Sequence, residues 1–139
     1  MLEGGKSSMS RTVAWGDCDP ANIVFYPNYF VWFNEAIAHH FAAAGLPKTE
    51  LIRRYDVVGF PMVDTSAKFH QPTTHGDEIT IQTEIVKFGR ASFEIEHRLF
   101  KQSVLCVEGY EKRVLVGRDE AKGGIKSVPF PEEIKSLFG

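Results

Sequence analysis

The stretch GDCDPANIVFYPNYFVWFNEAIAHHFAAA, residues 16–44, decides the reading of this chain: an acidic, turn-forming loop runs straight into an apolar segment of helix length. Residues 27–44 open on Pro27, a residue favoured in a first helical turn. They stop at Gly45-Leu46-Pro47, where glycine supplies a left-handed cap and proline forbids continuation. Only Asn34, Glu35, His39 and His40 are clearly polar inside this helix, so it must be covered on most of its sides. The N-cap position falls on Tyr26, which has no side chain to satisfy the first backbone N–H groups. Those donors, at the positive end of the helix dipole, are left available to a ligand.

Outward from this stretch the pattern changes from helical to alternating. Residues 11–15 read as a short strand before the loop, and residues 49–54 as a second short helix. Val63, Thr65, Ala67 and Phe69 then alternate with polar residues up to a turn at Pro72 and His75-Gly76-Asp77. Ile79, Ile81, Thr83 and Ile85 alternate up to Gly89, and Phe93, Ile95, His97 and Leu99 up to Lys101-Gln102-Ser103. Residues 104–116 close the series. Connections this short join neighbouring antiparallel strands, since a parallel crossover needs about a dozen residues. The prediction is an α+β fold in which a curved five-stranded antiparallel sheet wraps one long central helix. One sheet face covers only part of so apolar a helix, which predicts self-association, most simply as a two-fold dimer.

With 139 residues, 43% of them hydrophobic, the chain has material for one core, and residues 11–139 are read as a single domain. Residues 1–10, with Gly4-Gly5, Ser7-Ser8 and a second methionine at Met9, read as a disordered lead-in. A net charge of -2 argues against nucleic acid or a polybasic membrane contact. No apolar run approaches the roughly 18 residues of a membrane span, and no signal-peptide segment is evident, so a cytoplasmic location is expected. Cys18 and Cys106 are too few and too differently placed for a disulfide framework, and are read as reduced thiols.

The candidate chemistry centres on Asp17 and Asp19. Asp-x-Asp before proline is good turn chemistry, and such a pair also suits a hard metal or phosphoryl transfer. Those uses demand further oxygen ligands or an alternating βαβ chain, whereas here an uncapped helix follows directly. A carboxylate beside an oxyanion-stabilising helix end suits acyl transfer. Two neighbouring negative charges do not ionise equally, and Asp19, nearer the helix start, is the preferred reactive group. Cys18 has no histidine nearby in sequence, and flanking aspartates raise a thiol pKa. The five histidines form no compact ligand motif, so no metal and no cofactor is expected. Trp32 and Phe33 are core by default and candidate walls of an acyl pocket.

The run GDCDPANIVFYPNYFVWF strongly resembles the 4-hydroxybenzoyl-CoA thioesterase family of hotdog-fold enzymes, as do Phe69-His70-Gln71-Pro72 and Gly76-Asp77-Glu78-Ile79. The resemblance covers nearly all of residues 12–116. It implies a hotdog fold, homodimers or homotetramers with sites at subunit interfaces, and metal-free hydrolysis of an acyl-CoA thioester. It implies that Asp19 is the catalytic carboxylate, as nucleophile or general base, and that the Tyr26 backbone N–H polarises the thioester carbonyl. Asn34 takes the place of an aspartate that recognises a phenolic hydroxyl in the enzyme specific for 4-hydroxybenzoyl-CoA. Arg90, helped by Lys87, stands where a basic cluster meets the CoA phosphates. An aromatic or a short- to medium-chain acyl group fits this pattern; the rival readings are a noncatalytic acyl-CoA or aromatic-acid binding protein and an acyl carrier protein thioesterase.

Overall fold

The computed structural model describes residues 2–139. It contains strands β1 (Lys6–Thr12), β2 (Met62–Phe69), β3 (Glu78–Phe88), β4 (Ser92–Lys101) and β5 (Val104–Val114) in one antiparallel sheet of spatial order β1-β3-β4-β5-β2. Helix α1 (Pro27–Ala43) packs on one face of this sheet, and α2 (Lys48–Tyr55) follows it. A small hairpin of β6 (Val116–Arg118) and β7 (Ile125–Ser127) precedes a final turn of helix, α3 (Glu132–Lys135). Register shifts interrupt the ladders at Ile85/Lys87, Leu99/Phe100 and Met62/Asp64, and such bulges add the local twist that lets a sheet curve around a helix.

Helix α1 ends as its sequence predicts. Gly45, at φ 88°, takes the left-handed position; its N–H bonds the Ala42 carbonyl while Leu46 N–H reaches back to Phe41. Its buried residues Tyr29, Trp32, Phe33, Ala36, Ile37, His40 and Phe41 repeat at helical spacing and form one face. The other side is less covered than expected: Val31 is 53% exposed, and Asn34 and Glu35 are also open. Two apolar clusters result, one from Val13, Tyr29 and Trp32 with Ile79 and Leu99, the other from Phe41 with Phe60, Phe93, Phe130 and Phe138.

The expectation of a disordered lead-in over residues 1–10 is corrected. Residue 1 lies outside the described residues, but β1 begins at Lys6 and pairs with β3 from Lys6↔Glu84 to Thr12↔Glu78. The driving force is backbone pairing on the otherwise bare edge of β3, which needs no apolar run. Gly4 and Gly5, at φ 59° and 76°, make the tight turn that feeds the strand. The short strand expected over residues 11–15 is therefore only the end of β1, followed by a single 3-10 turn over Trp15–Asp17.

Ser7 fixes this edge to the helix, its hydroxyl lying 2.6 Å from Nδ1 of the fully buried His40. Burial, with the charges of His97 and His39 adding to it, lowers the His40 pKa from 6.5 to about 4. The folded imidazole thus stays neutral while the unfolded one takes up a proton below its ordinary pKa. Stability from this group is full above pH 6.5 and falls as the pH drops towards 4, by an amount on the order of a few kcal/mol. Urea unfolding midpoints measured over that window should fall more steeply for the wild type than for His40→Gln; identical slopes would remove His40 as the cause.

Candidate active site

The acidic loop folds as a miniature hairpin. Phe25 N–H bonds the Asp17 carbonyl at 2.9 Å, Cys18 and Val24 form an antiparallel bridge, and Asp19 N–H bonds the Ile23 carbonyl at 2.9 Å. Pro20 and Asn22 build the tip: Asn22 N–H returns to the Asp19 carbonyl at 2.8 Å, and Asn22 itself sits at φ 65°, a conformation asparagine tolerates. The turn before β3 braces the hairpin, with Val24 N–H on the Thr73 carbonyl and the Thr74 hydroxyl on the Asn22 carbonyl.

The two aspartates have different surroundings. Oδ2 of Asp17 accepts from Ala14 N–H at 2.8 Å and lies 3.7 Å from the Arg11 guanidinium, so this carboxylate is committed to holding the loop. Asp19 is half-buried at the hairpin tip, and its Oδ1 accepts from Ala21 N–H at 2.8 Å. One hydrogen bond fixes the carboxylate plane and leaves Oδ2 for a reacting group.

Tyr26 occupies the N-cap of α1 with no side-chain cap, and among the described residues its own N–H meets no acceptor. A cleft of about 340 Å³ opens there, lined by Ile23, Tyr26, Tyr29, Phe69, His70 and Pro72. The Tyr29 hydroxyl pairs with Thr73 Oγ1 at 2.7 Å and ties the first helical turn to the brace; burial raises its pKa, so it remains a neutral phenol. His70 is held by Glu108 at 2.8 Å, which in turn lowers the Glu108 pKa.

Other expected site residues lie elsewhere. Trp32 and Phe33 are 2% and 1% exposed and do not line this cleft. Both lie in the core, on the helix face that meets the sheet, which is their default reading. Arg11 covers the Trp32 ring at 4.6 Å, and Phe33 stacks on His97 at 4.7 Å. Asn34 is two turns beyond Tyr26, about 12 Å along the helix axis. Lys87 pairs with Glu94 at 3.8 Å, and both Lys87 and the exposed Arg90 sit at the β3–β4 turn. That turn is nine steps along β3 from Glu78, or roughly 30 Å from the end of the strand that adjoins the acidic loop.

The feature that the sequence reading missed is a row of buried polar groups beneath α1. Thr83, His97 and Gly109 are neighbours in register across β3, β4 and β5. His97 Nδ1 lies 2.8 Å from the Thr83 hydroxyl, and its Nε2 lies 3.2 Å from Glu111. Glu111 accepts from Arg113 Nε at 2.7 Å, while Arg113 also donates to the Phe60 carbonyl and to Asn34 Oδ1. Gly109 is required by close approach: a Cβ there would come 2.5 Å from the Phe33 ring. Burial alone would raise the Glu111 pKa, but the adjoining His97 imidazole and the hydrogen bond and charge of Arg113 outweigh it and hold the carboxyl below its usual range. A signal was present, since Glu111 and Arg113 share strand parity with Val107 and Leu115, an inward face.

Comparison with known proteins fits this geometry. The model of the thioesterase-like superfamily matches residues 13–138. The 4-hydroxybenzoyl-CoA thioesterase of Pseudomonas sp. (strain CBS-3) is 36% identical over 91 residues, covering 65% of this chain and 64% of that enzyme, just under two thirds of its length. A crystal structure of a mutant 4-hydroxybenzoyl-CoA thioesterase complexed with 4-hydroxybenzoyl-CoA superposes with a TM-score of 0.88 at 28% identity, over 96% of this chain and 99% of that one. A gentisyl-coenzyme A thioesterase superposes with a TM-score of 0.80 at 35% identity, over 95% and 98% of the two chains. This chain therefore belongs to the thioesterase-like superfamily and has the hotdog fold of the 4-hydroxybenzoyl-CoA thioesterases.

Proposed function

We propose that this protein is an acyl-CoA thioesterase acting on an aromatic or a short- to medium-chain acyl group, without metal or cofactor. The observation that carries the reading is the unpaired Tyr26 N–H at an uncapped helix start, on the same braced hairpin as an aspartate with one free carboxylate oxygen. The N–H and the helix dipole stabilise the negative charge that develops on the thioester oxygen. Asp19 either attacks the carbonyl carbon, expelling CoA thiolate and leaving a mixed anhydride for water to cleave, or removes a proton from the attacking water. Both routes end in the free acid and CoA. The relatives' acyl groups, 4-hydroxybenzoyl and gentisyl, favour an aromatic substrate.

The working unit in this reading is a homodimer or a homotetramer. β2 is an open sheet edge carrying Met62, Val63 and Phe69 at 38%, 56% and 51% exposure, apolar surface that a second copy would cover. The distances of Asn34 and Arg90 from the Tyr26 cleft also favour sites that combine residues of two copies, with Arg90 and Lys87 meeting CoA phosphates. We place the protein in the cytoplasm, where Cys18 and Cys106 remain free thiols; no described helix is long and apolar enough to cross a membrane.

Thiol release from benzoyl, 4-hydroxybenzoyl, phenylacetyl and aliphatic CoA esters tests the reading. Turnover of at least one aromatic ester is expected. Calorimetric binding without release from any of them would instead leave a noncatalytic acyl-CoA binding protein.

A further inference from the structure

His70 stands on the wall of the Tyr26 cleft with a carboxylate partner, Glu108, and the proposed reaction uses neither. The backbone sets the imidazole there. Where β2 ends, His70 N–H and Gln71 N–H both bond the Cys106 carbonyl, at 2.8 and 3.1 Å. The preceding Phe69 meets the rings of Tyr26 and Tyr29, with centroids 6.4 and 5.8 Å apart, and so seats the end of β2 against the first turn of α1. The partner decides what the imidazole offers. His70 Nε2 lies 2.8 Å from Glu108 Oε2, and this hydrogen bond, with the charges of His70, Lys68 and Arg98 adding to it, lowers the Glu108 pKa. An ionised carboxylate only accepts, so in the neutral imidazole the single N–H is at Nε2 and Nδ1 keeps its lone pair. Glu108 does not line the cleft, and Nδ1 has no partner among the described residues, which leaves Nδ1 as the ring nitrogen for an occupant. The other polar groups of the wall discriminate less. The Tyr29 hydroxyl is taken up by Thr73, while the Tyr26 hydroxyl and the Gln71 amide each both donate and accept.

We propose that the His70–Glu108 pair is a specificity device of the Tyr26 cleft: Nδ1 of His70 accepts a hydrogen bond from an O–H or N–H donor on the acyl group and disfavours acyl groups that carry none. The inference rests on the thioesterase reading and on the acyl group entering this cleft. Within it His70 touches the acyl group, whereas Glu108 is a positioning residue that holds the tautomer. The rest of the wall, with Ile23, Val24, Phe69 and Pro72, is apolar and supplies contact without polarity. An occupant with no donor strands the Nδ1 lone pair against that wall, where little water replaces the lost bond.

The test compares kcat/KM for hydroxybenzoyl-CoA and fluorobenzoyl-CoA esters substituted at the same ring position, ortho, meta or para, because fluorine is close to a hydroxyl in size and cannot donate. In His70→Leu the hydroxy-to-fluoro ratio should fall by about tenfold or more at one position at least, while turnover of the fluoro ester stays within about threefold of wild type. His70→Asn, whose Oδ1 stands near the place of Nδ1, should keep most of the ratio. Glu108→Gln also offers a donor to Nε2, which frees the second tautomer, and the ratio should fall several-fold. A general loss of structure would lower both esters together and leave the ratio alone. The His70 side chain is 43% exposed and Glu108 38%, so both variants should fold; if thermal melts show that His70→Leu does not, Glu108→Gln decides the matter. A ratio unchanged by His70→Leu at all three positions, or turnover confined to esters without a donor, overturns the inference and leaves the thioesterase reading standing. A ratio lost in His70→Leu but kept in Glu108→Gln removes Glu108 from the device. Absence of thiol release from every ester overturns the thioesterase reading and the inference with it.

Discussion

If the proposed thioesterase reading holds, replacing Asp19 with asparagine should lower thioester turnover by about two to four orders of magnitude while leaving the protein folded. The amide keeps the oxygen that accepts from Ala21 N–H, so the hairpin tip retains its bond and unfolding stability should change by less than about 1 kcal/mol. What is lost is the negative charge, and with it both the nucleophile and the base. The measurement is kcat for thiol release on the best ester of the panel, alongside a thermal melt; turnover within a factor of two of wild type would remove Asp19 from the chemistry. Asp17→Asn should behave differently. The amide oxygen can still accept from Ala14 N–H, but the charge facing Arg11 is lost, so stability should fall modestly while turnover is largely retained. Entry of ¹⁸O from labelled water into the Asp19 carboxylate in a single turnover would establish the nucleophilic route, since label arrives there only if a mixed anhydride forms and water attacks its aspartyl carbonyl.

The largest expected loss of stability comes from Glu111→Ala, about 3–5 kcal/mol in urea unfolding, because it strands a buried guanidinium and leaves His97 without its carboxylate neighbour. For a chain of this size that corresponds to a melting temperature lower by on the order of 10 °C. Desolvation opposes the ion pair itself, so the double variant Glu111→Leu with Arg113→Met should recover much of the loss, since no charge is then left without its partner. A double variant no more stable than Glu111→Ala would show that packing, not the orphaned charge, is responsible. The depressed Glu111 pKa gives the matching pH dependence: its contribution is present above the ordinary glutamate range and disappears as the pH falls through the folded pKa. Wild type should therefore lose stability to acid in a range where Glu111→Ala has less to lose.

The central helix and the loop before it were legible because punctuation marks them. Pro27 and Gly45-Leu46-Pro47 bound the helix, and alternation with Gly and Pro breaks delimits the strands. β1 was not legible, since Ser7, Ser8 and Ser10 offer no apolar period and the strand forms by backbone pairing with β3. The different surroundings of the two aspartates, with Asp17 bonded to Ala14 N–H and Asp19 leaving Oδ2 free, required the folded hairpin. Charges two apart on a strand, as Glu111 and Arg113 are, ordinarily mark a solvated face; only His97 on the next strand and Asn34 on the helix above give them partners.

The hollow at Gly109 has a consequence for how the strands find one another. A slip of one residue in β5 would bring Tyr110 or Glu108 under the Phe33 ring, where even a methyl group has no room, and would turn Glu111 and Arg113 away from His97 and Asn34. Misaligned pairing therefore loses the aromatic seat and the ion pair at the same moment. The single glycine acts as an alignment mark for assembly of the sheet, so that the charges which stiffen the core meet only when the ladder is correctly threaded.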